Sequence, residues 1–226
     1  ADRDPVGQLI NLTYVIDQGP RVYIERIDIV GNVRTKDKVI RREFRLVEGD
    51  AYNPLLVDRA EKRIKQLGFF KDVKVQRQPG SAQDRVVIVV NITEQPTGEL
   101  SFGAGYSTAE GVIGDVSITE RNLMGNGQFL RLKLGGSAER LQIDLSFTEP
   151  RFLDKNIAAG FDVFHKELDL TSSSSYKTRK TGFSPRIGFP LSENIWRSLN
   201  YTISRDEIFD VQPDASLAVQ NAVGTA

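Results

Sequence analysis

The sequence predicts an α+β module, in the order strand, helix, helix, strand, strand, followed by antiparallel strands of an incomplete transmembrane β-barrel. Three observations predict this class. Helical periodicity is confined to the residues before 98. From residue 98 onward, apolar and polar residues alternate in segments of roughly ten residues, the pattern of an outer-membrane barrel. None of the positions on the apolar side of these segments is charged.

Composition narrows the class of protein before any motif is considered. The chain has 226 residues, of which 39% are hydrophobic and 27% charged, so it is globular and long enough for two domains. Basic and acidic residues number 30 each, which argues against a nucleic-acid partner. The absence of cysteine excludes a disulfide scaffold and a thiolate metal site. No apolar run approaches the roughly 18 residues of a spanning helix, so any membrane contact should involve strands or the membrane surface.

The α+β module is expected over residues 20–97. Its first strand alternates Ile27 and Ile29 with charged residues and ends at the turn signal Gly31-Asn32. Thr35 is predicted to cap a short helix with the apolar stripe Val39, Ile40 and Phe44.

A second helix has stronger signals at both ends. Asn53 followed by Pro54 is a typical helix start, and Gly68 is a stop signal. One face of this helix carries the apolar residues Leu56, Ala60, Ile64 and Leu67. A hairpin around "PGSAQD" then completes the module.

Residues 1–19 are predicted to be the end of a preceding module of the same kind. "LTYVIDQGP" at 12–20 resembles "VVNITEQPT" at 89–97, with Val15 matching Ile92 at an offset of 92 − 15 = 77 residues. Nine positions leave coincidence open as the alternative. The chain is expected to be a piece of a longer protein.

Residues 98–226 are expected to form the N-terminal part of the barrel. Seven segments alternate, and bacterial single-chain barrels have even strand numbers from eight upward, so this barrel is incomplete. Extended polar connections such as "KELDLTSSSSYK" are expected on one rim and shorter turns such as "PLSEN" on the other. A soluble sandwich alternates in the same way and remains the alternative from pattern alone. The apolar positions are Leu100, Phe102, Ala104, Tyr106, Val116, Ile118, Leu130, Leu132, Leu134, Leu141, Ile143, Leu145, Phe147, Ala159, Phe161, Val163, Phe183, Ile187, Phe189, Leu199, Tyr201 and Ile203.

Several motifs in order resemble the last POTRA domain and the barrel junction of the BamA family. They are "IDIVGNVRTKDKVIRREF", "LVEGDAYNPLLVDRAEKRIKQLGFFKDVKV" and "VVIVVNITEQPTGELSFGAGYSTAEG". The specific parts are Gly31-Asn32, Arg41-Arg42, Glu48-Gly49 and Leu67 to Phe70. The resemblance covers residues from about 8 to 205.

This resemblance implies a role in assembling β-barrel proteins into the bacterial outer membrane, with the POTRA domain in the periplasm. The implied partners are unfolded outer-membrane proteins, accessory assembly lipoproteins and the lipid bilayer. Arg41, Arg45 and Glu48 are the expected lipoprotein-binding residues. No cofactor is implied. Autotransporter assembly and a two-partner secretion pore, both of the same superfamily, are the alternative functions.

The first barrel strand is the expected client-binding seam. It comprises Leu100, Ser101, Phe102, Gly103, Ala104, Gly105, Tyr106 and Ser107. A first strand that must close on the last exposes backbone hydrogen-bonding groups, and its two glycines contribute little packing to hold a partner. An incoming strand could pair there through main-chain hydrogen bonds, which accept many sequences.

No catalytic or metal site is expected. The only histidine, His165, shares its strand face with Phe161 and Val163, and it lacks a nucleophile and an orienting acid in the pattern. The glycine pairs in "FGAGY" and "GNGQ" do not precede a helix and therefore cannot form a phosphate-binding loop. The protein is expected not to be an enzyme.

Overall fold

The structure is a computed structural model that describes residues 2–4, 9–11, 20–192 and 195–223. Two short strands, β1 (Asp2–Asp4) and β2 (Leu9–Asn11), pair antiparallel near the N-terminus. Residues 12–19, predicted to close a preceding module, lie outside the described residues.

The N-terminal module has the predicted order of strand, helix, helix, strand, strand. Its three strands form one sheet in the order β3-β5-β4, with β3 parallel to β5 and β4 antiparallel to it. The two helices form the crossover that a parallel pair requires. The elements are β3 (Tyr23–Val30), α1 (Asp37–Arg41), α2 (Pro54–Gln66), β4 (Phe70–Pro79) and β5 (Arg85–Glu94).

Helix α2 begins and ends where the sequence predicts. The Asn53 side chain accepts hydrogen bonds from the backbone N–H groups of Leu55 (3.0 Å) and Leu56 (3.4 Å), and Pro54 occupies the first turn. Gly68 adopts a left-handed conformation, φ +74°, just beyond the helix end. The helix therefore has local signals at both termini.

The predicted cap of α1 is wrong. The cap position is Lys36, and no side chain caps the helix. Thr35 is buried, and its hydroxyl accepts a hydrogen bond from Asn122 of the C-terminal sheet. A distant partner therefore replaces the local helix N–H that the sequence suggested.

One hydrophobic core lies between the helices and the three-stranded sheet. Ile24, Ile40, Ile64 and Ile88 are fully buried there. The other buried members are Ile27, Val39, Phe44, Leu46, Val57, Ala60, Phe69, Phe70, Val73, Val90 and Ile92. The module thus has a closed core of its own.

The C-terminal region is an antiparallel meander in which each strand pairs with its neighbours in sequence. The last two strands, β12 and β13, both pair with β11 in one continuous register, because Arg186 opposes Asn200 and Phe183 opposes Ile203. They act as one interrupted strand, which gives the seven positions predicted. The strands are β6 (Gly98–Ser107), β7 (Gly111–Leu123), β8 (Gln128–Gly136), β9 (Arg140–Glu149), β10 (Ala158–Asp169), β11 (Lys177–Pro190), β12 (Trp196–Asn200) and β13 (Ile203–Phe209).

The register aligns the predicted apolar positions in rows across the whole sheet. One row crosses every strand position from β6 to β13 and contains Leu100, Ile118, Leu132, Leu145, Val163, Phe183 and Ile203. A row on the opposite face contains Ser101, Ser117, Lys133 and Asp144. The alternation in the sequence is therefore a true two-faced sheet.

The predicted difference between the two rims is wrong for the connections between paired strands, whereas residues 210–223, after β13 on the far rim, contain no strand, as predicted for that part of the chain. On the rim far from the module, residues 108–110 and 137–139 form short turns, and the longer connection, 170–176, contains α3 (Thr171–Ser174). On the module side, the connections are 124–127, 150–157 with a 3₁₀ turn at Phe152–Asp154, and 191–195. Polar strand ends such as Lys166–Asp169 continue the pairing, so the connections are shorter than the apolar pattern suggested.

The sheet does not close within the described residues, where β6 forms one edge and β12 with β13 the other. After β13 comes the short helix α4 (Leu217–Ala222). None of the described helices combines the length and apolarity that a membrane-spanning helix needs.

Candidate functional site

The module and the sheet meet at the turn between β7 and β8, residues 124–127. Asn122 donates from Nδ2 to the Thr35 hydroxyl at 2.8 Å, and its Oδ1 accepts from the Gly127 backbone N–H at 2.7 Å. The Lys36 backbone N–H donates to the Gly125 carbonyl at 2.9 Å. Asn122 is buried, so both regions depend on these bonds to satisfy polar groups hidden from water.

Two glycines allow this turn to approach the module closely. Gly125 and Gly127 have φ of +73° and +71°, in the left-handed region that glycine adopts without a steric penalty. A Cβ on Gly125 would overlap the Arg34 carbonyl oxygen, and one on Gly127 would lie 2.7 Å from Arg42 Nη2. The motif "GNGQ" is therefore a docking turn against the module.

Glu94 orders the segment of the module that contacts the docking turn. Its carboxylate accepts hydrogen bonds from the backbone N–H groups of Thr35 (2.7 Å) and Arg34 (2.9 Å). Partial burial raises the pKa of Glu94, but the hydrogen bonds from Thr35 and Arg34 outweigh it, so the pKa lies below its usual value. The ionised carboxylate is thus the form that orders the segment before α1.

A second set of contacts between the module and the sheet is formed by charged side chains, which join the module to the β9–β10 connection. Burial lowers the pKa of Arg42, and the neighbouring Glu43 partly opposes this effect. Glu43 Oε1 lies 3.8 Å from Arg42 Nε and 3.7 Å from Nη2 of Arg151, which belongs to the β9–β10 connection. Arg63 of α2 also donates to the Glu43 carbonyl, at 2.8 Å through Nε. One buried acidic residue therefore links α2, α1 and the sheet.

The predicted lipoprotein-binding residues lie between the last residue of α1 and the start of α2, and all three are exposed. Arg41 Nη1 and Glu48 Oε1 form an ion pair at 3.1 Å, and Arg41 Nη2 donates to the Ile27 carbonyl at 3.0 Å. Glu48 Oε1 also accepts from the Ile27 backbone N–H at 3.2 Å. Arg45 is exposed on the same segment. The structure thus brings Arg41 and Glu48 together and anchors both to β3.

The predicted seam is strand β6, an edge of the sheet in the described part of the chain. It pairs with β7 from Gly98 to Ser107, and its other edge has no partner strand among the described residues. Gly103 makes room for a neighbour, because a Cβ there would lie 2.5 Å from Asp115 Oδ1. At Gly105 a Cβ would meet no atom within 4 Å. The outward side chains Phe102 and Tyr106 are 73% and 77% exposed.

The polar face of the sheet carries an ordered network on β9, β10 and β11. Arg186 donates from Nη2 to the hydroxyls of Ser146 (3.0 Å) and Thr148 (2.7 Å), and its Nη1 binds Asp162. Ser146 in turn donates to Asp162 Oδ1 at 2.7 Å. Gly160 leaves space for the Arg186 side chain, because a Cβ there would lie 3.0 Å from Arg186 Nε. Arg186 and Asp162 are therefore paired across strands on this face.

His165 contacts a hydroxyl and a carboxylate that the alternation along its strand did not indicate. Its Nδ1 lies 2.8 Å from the Thr181 hydroxyl and its Nε2 lies 3.3 Å from Glu167 Oε1, both near the rim far from the module. Within the described ranges, no group of three or more histidine, aspartate or glutamate side chains is placed to hold a metal ion.

Two family models match adjoining parts of the chain. The POTRA model, described as surface antigen variable number repeat, matches residues 22–95, and the Omp85 superfamily domain matches residues 122–222. The chain belongs to the Omp85 superfamily. This Omp85 chain therefore carries a POTRA domain, the module described above, ahead of an Omp85 domain formed by the sheet.

Curated relatives and solved structures agree with this assignment. The chain is 34% identical over 216 residues to the outer membrane protein assembly factor BamA of Neorickettsia risticii, covering 96% of this chain and 29% of the relative. It is 33% identical over 183 residues to BamA of Neisseria meningitidis serogroup B, covering 79% of this chain and 23% of the relative. The Omp85 chain thus spans less than a third of the length of these curated relatives.

A crystal structure of BamA from Haemophilus ducreyi lacking POTRA domains 1–3 superimposes with a TM-score of 0.75 at 29% identity. The match covers 93% of this chain and 40% of that structure. CdiB from Acinetobacter baumannii shares the fold, with a TM-score of 0.59 at 13% identity over 84% of this chain and 39% of that one. The POTRA-plus-sheet architecture is therefore similar to that of the Haemophilus ducreyi BamA structure.

The junction residues Thr35 and Asn122 were missed by sequence reasoning. They are separated by 87 positions, so no local pattern links them. The available signal was "GNGQ" itself, a glycine pair in a turn on the module side of the sheet, where two backbones can approach closely.

Proposed function

We propose that the protein assembles β-barrel proteins into the outer membrane of a Gram-negative bacterium, with its POTRA domain in the periplasm. The names of the relatives support this proposal, since several are outer membrane protein assembly factors. Under this proposal, the protein is not an enzyme and uses no cofactor. Its partners are unfolded outer-membrane proteins, accessory lipoproteins and the bilayer.

One observation carries the proposal: the POTRA domain is docked directly beside the edge strand of the sheet. Strand β5 ends at Glu94 and β6 begins at Gly98, so three residues separate the two regions. Glu94 orders the segment around Thr35 from within the POTRA domain, and Asn122 of β7 binds Thr35, which joins the POTRA domain to the first hairpin. A client held by the POTRA domain is therefore close to β6.

Strand β6 has the chemistry to receive a client strand. Its outer edge presents backbone N–H and C=O groups in a regular ladder, and an incoming strand can satisfy them by β-augmentation. Main-chain bonds do not depend on side-chain identity, so many different clients can pair. Phe102 and Tyr106 face the apolar side and keep the strand in the lipid.

The exposed pair Arg41–Glu48 and the nearby Arg45 form the proposed contact for an accessory lipoprotein. Arg41 and Glu48 also bind the backbone of β3, so changing either one perturbs the POTRA fold as well. Arg45→Glu is tested together with the melting temperature of the variant, which separates a loss of POTRA stability from a loss of the lipoprotein contact. We expect weaker co-purification of the lipoproteins with Arg45→Glu and unchanged co-purification with Lys62→Glu, an exposed position on α2.

A seam-locking experiment tests the function of β6. Single cysteines at Ser101, Gly105 and Ser107 of the full-length protein are crosslinked to the last barrel strand. Gly103 is avoided because Asp115 occupies the space that its side chain would need. The matched control is a Lys133→Cys/Asp144→Cys pair, which joins strands already paired in register.

We expect client insertion into liposomes to stop when the seam is locked and to continue in the control. Insertion at the unlocked rate with the seam fully crosslinked would overturn the proposal. Steady ion conductance without any acceleration of client folding would instead identify a secretion pore.

A further inference from the structure

A groove of about 610 Å³ lies where the POTRA domain meets the apolar face of the sheet. One wall is aromatic, formed by Phe147, Phe161 and Phe183 on β9, β10 and β11. The opposite side is formed by Lys38 of α1 and by the β9–β10 connection. Neither the seam nor the lipoprotein contact uses these residues.

The aromatic wall is continuous and belongs to the lipid-facing side of the sheet. The ring centroids of Phe147 and Phe161 are 5.6 Å apart, and those of Phe161 and Phe183 are 5.9 Å apart. Strands β9 and β10 are paired on both edges, so no backbone ladder is free here for an added strand. The wall therefore suits a hydrocarbon chain better than an extended peptide.

The connection beside the groove exposes apolar side chains on a strained backbone. Leu153 is 73% exposed, and Phe152 before it is also exposed. Leu153 and Asp154 have φ of 55° and 57°, a left-handed conformation that is costly for leucine and more readily adopted by aspartate. At a membrane interface, exposed apolar tips such as Phe152 and Leu153 would contact lipid instead of water.

Four charged groups line the groove, and their formal charges sum to zero. Two are already engaged: Glu149 Oε2 accepts from Gln128 at 2.7 Å, and Arg151 Nη1 donates to Asn156 at 2.7 Å. The other two, Lys38 and Asp154, are 59% and 86% exposed, with Nζ and Oδ1 4.0 Å apart. This long, exposed ion pair is available to exchange partners.

We propose that this groove binds a zwitterionic phospholipid whose head group carries a primary ammonium, such as phosphatidylethanolamine. The phosphate binds Lys38, the ammonium donates to Asp154, and an acyl chain lies on the aromatic wall. The net charge of zero disfavours an anionic lipid, and a choline head group cannot donate a hydrogen bond to Asp154. This proposal depends on the proposed function, because it requires the sheet to lie in the outer membrane.

The test is lipid titration of the detergent-solubilised full-length protein, with bound lipids counted by native mass spectrometry. The probes are phosphatidylethanolamine, phosphatidylcholine and phosphatidylglycerol of identical acyl chains. The test variant is Lys38→Gln/Asp154→Asn. The control is Asp58→Asn/Lys62→Gln, which removes the same two charges from the exposed face of α2. Client insertion is measured on every variant.

We expect one phosphatidylethanolamine to be retained in preference to the other two lipids. The test variant should bind it about threefold more weakly, in keeping with an exposed ion pair, and the control should bind it normally. Equal retention of phosphatidylcholine, an unchanged test variant, or displacement of the lipid by a client strand peptide would overturn the site. A protein that binds the lipid selectively but inserts no client retains this site and contradicts the proposed function instead.

Discussion

The POTRA domain and the sheet bury their apolar residues in opposite ways. In the POTRA domain, isoleucines on both layers meet in a closed core from which water is excluded. In the sheet, the apolar rows point outward, and the opposite face carries hydroxyls and paired charges. The first arrangement is stable in water by its own hydrophobic burial, whereas the second needs an apolar solvent on one side. The POTRA domain is therefore suited to water, and the apolar face of the sheet is suited to lipid.

The largest expected effect tests the closed core. Ile64→Ala removes a fully buried side chain from the centre of the POTRA domain and should lower its free energy of unfolding by about 2–5 kcal/mol. Leu55→Ala, on the exposed side of the same helix, should change it by less than about 0.5 kcal/mol. Urea denaturation in aqueous buffer, followed by circular dichroism, measures both. Equal losses would mean that the core does not dominate stability.

The next largest effect tests whether the apolar face of the sheet contacts lipid. Leu132→Arg places a charge in the middle of the apolar row that crosses the whole sheet and should cost about 2–4 kcal/mol in a bilayer. Thr119→Arg, on the opposite face of the neighbouring strand, should cost much less. Folding titrations into lipid vesicles measure the two costs. Similar costs for both variants would favour the soluble-sandwich interpretation.

A smaller effect tests the bond between the two regions. Asn122→Ala leaves the Thr35 hydroxyl and the Gly127 backbone N–H without their partner, at a cost of about 1–3 kcal/mol for buried polar groups. We expect faster hydrogen exchange at Lys36 and Gly127, measured by mass spectrometry. Thr35→Ser, which retains the hydroxyl, is the control. Unchanged exchange in Asn122→Ala would show that the docking turn does not depend on this side chain.

The smallest effect concerns pH at the same junction. Because the folded-state pKa of Glu94 lies below its ordinary value of 4.5, its ionised form stabilises the POTRA domain above that pH. This contribution is lost as the pH falls from about 4.5 through the lower folded-state pKa. Melting temperatures between pH 7 and pH 3 should therefore fall less steeply for Glu94→Gln than for the unmodified protein. Parallel curves for the two would contradict the role given to Glu94.

Sequence reasoning succeeded where the determining chemistry is local. Asn53, Pro54 and Gly68 act within one turn of α2, so its limits could be predicted from neighbouring residues. The two faces of the sheet follow from a period of two residues, which is also local. The POTRA-like order of elements was predicted for the same reason.

The errors occurred where a distant residue decides the outcome. Thr35 has the right side chain for a helix cap, but Asn122 provides a buried donor that the local sequence cannot show. The polar residues at the ends of β10 and β11 were predicted to belong to a loop. In the structure they are strand residues that pair with the adjacent strand, as Lys166 does with Lys180. The groove proposed to bind a phospholipid likewise combines α1 with strands more than 100 residues later in the chain, and no sequence motif marks it.

The meander connectivity of the sheet has a consequence for how it forms. Each strand contacts the strands just before and after it in the chain, so the contacts are short in sequence and the loops to be closed are small. Such a topology can grow one hairpin at a time, each new strand using the previous one as its template. At every stage of that growth the newest strand presents an unfilled backbone edge. Folding in that order would expose, at each step, the same kind of hydrogen-bonding surface that β6 is proposed to offer to a client.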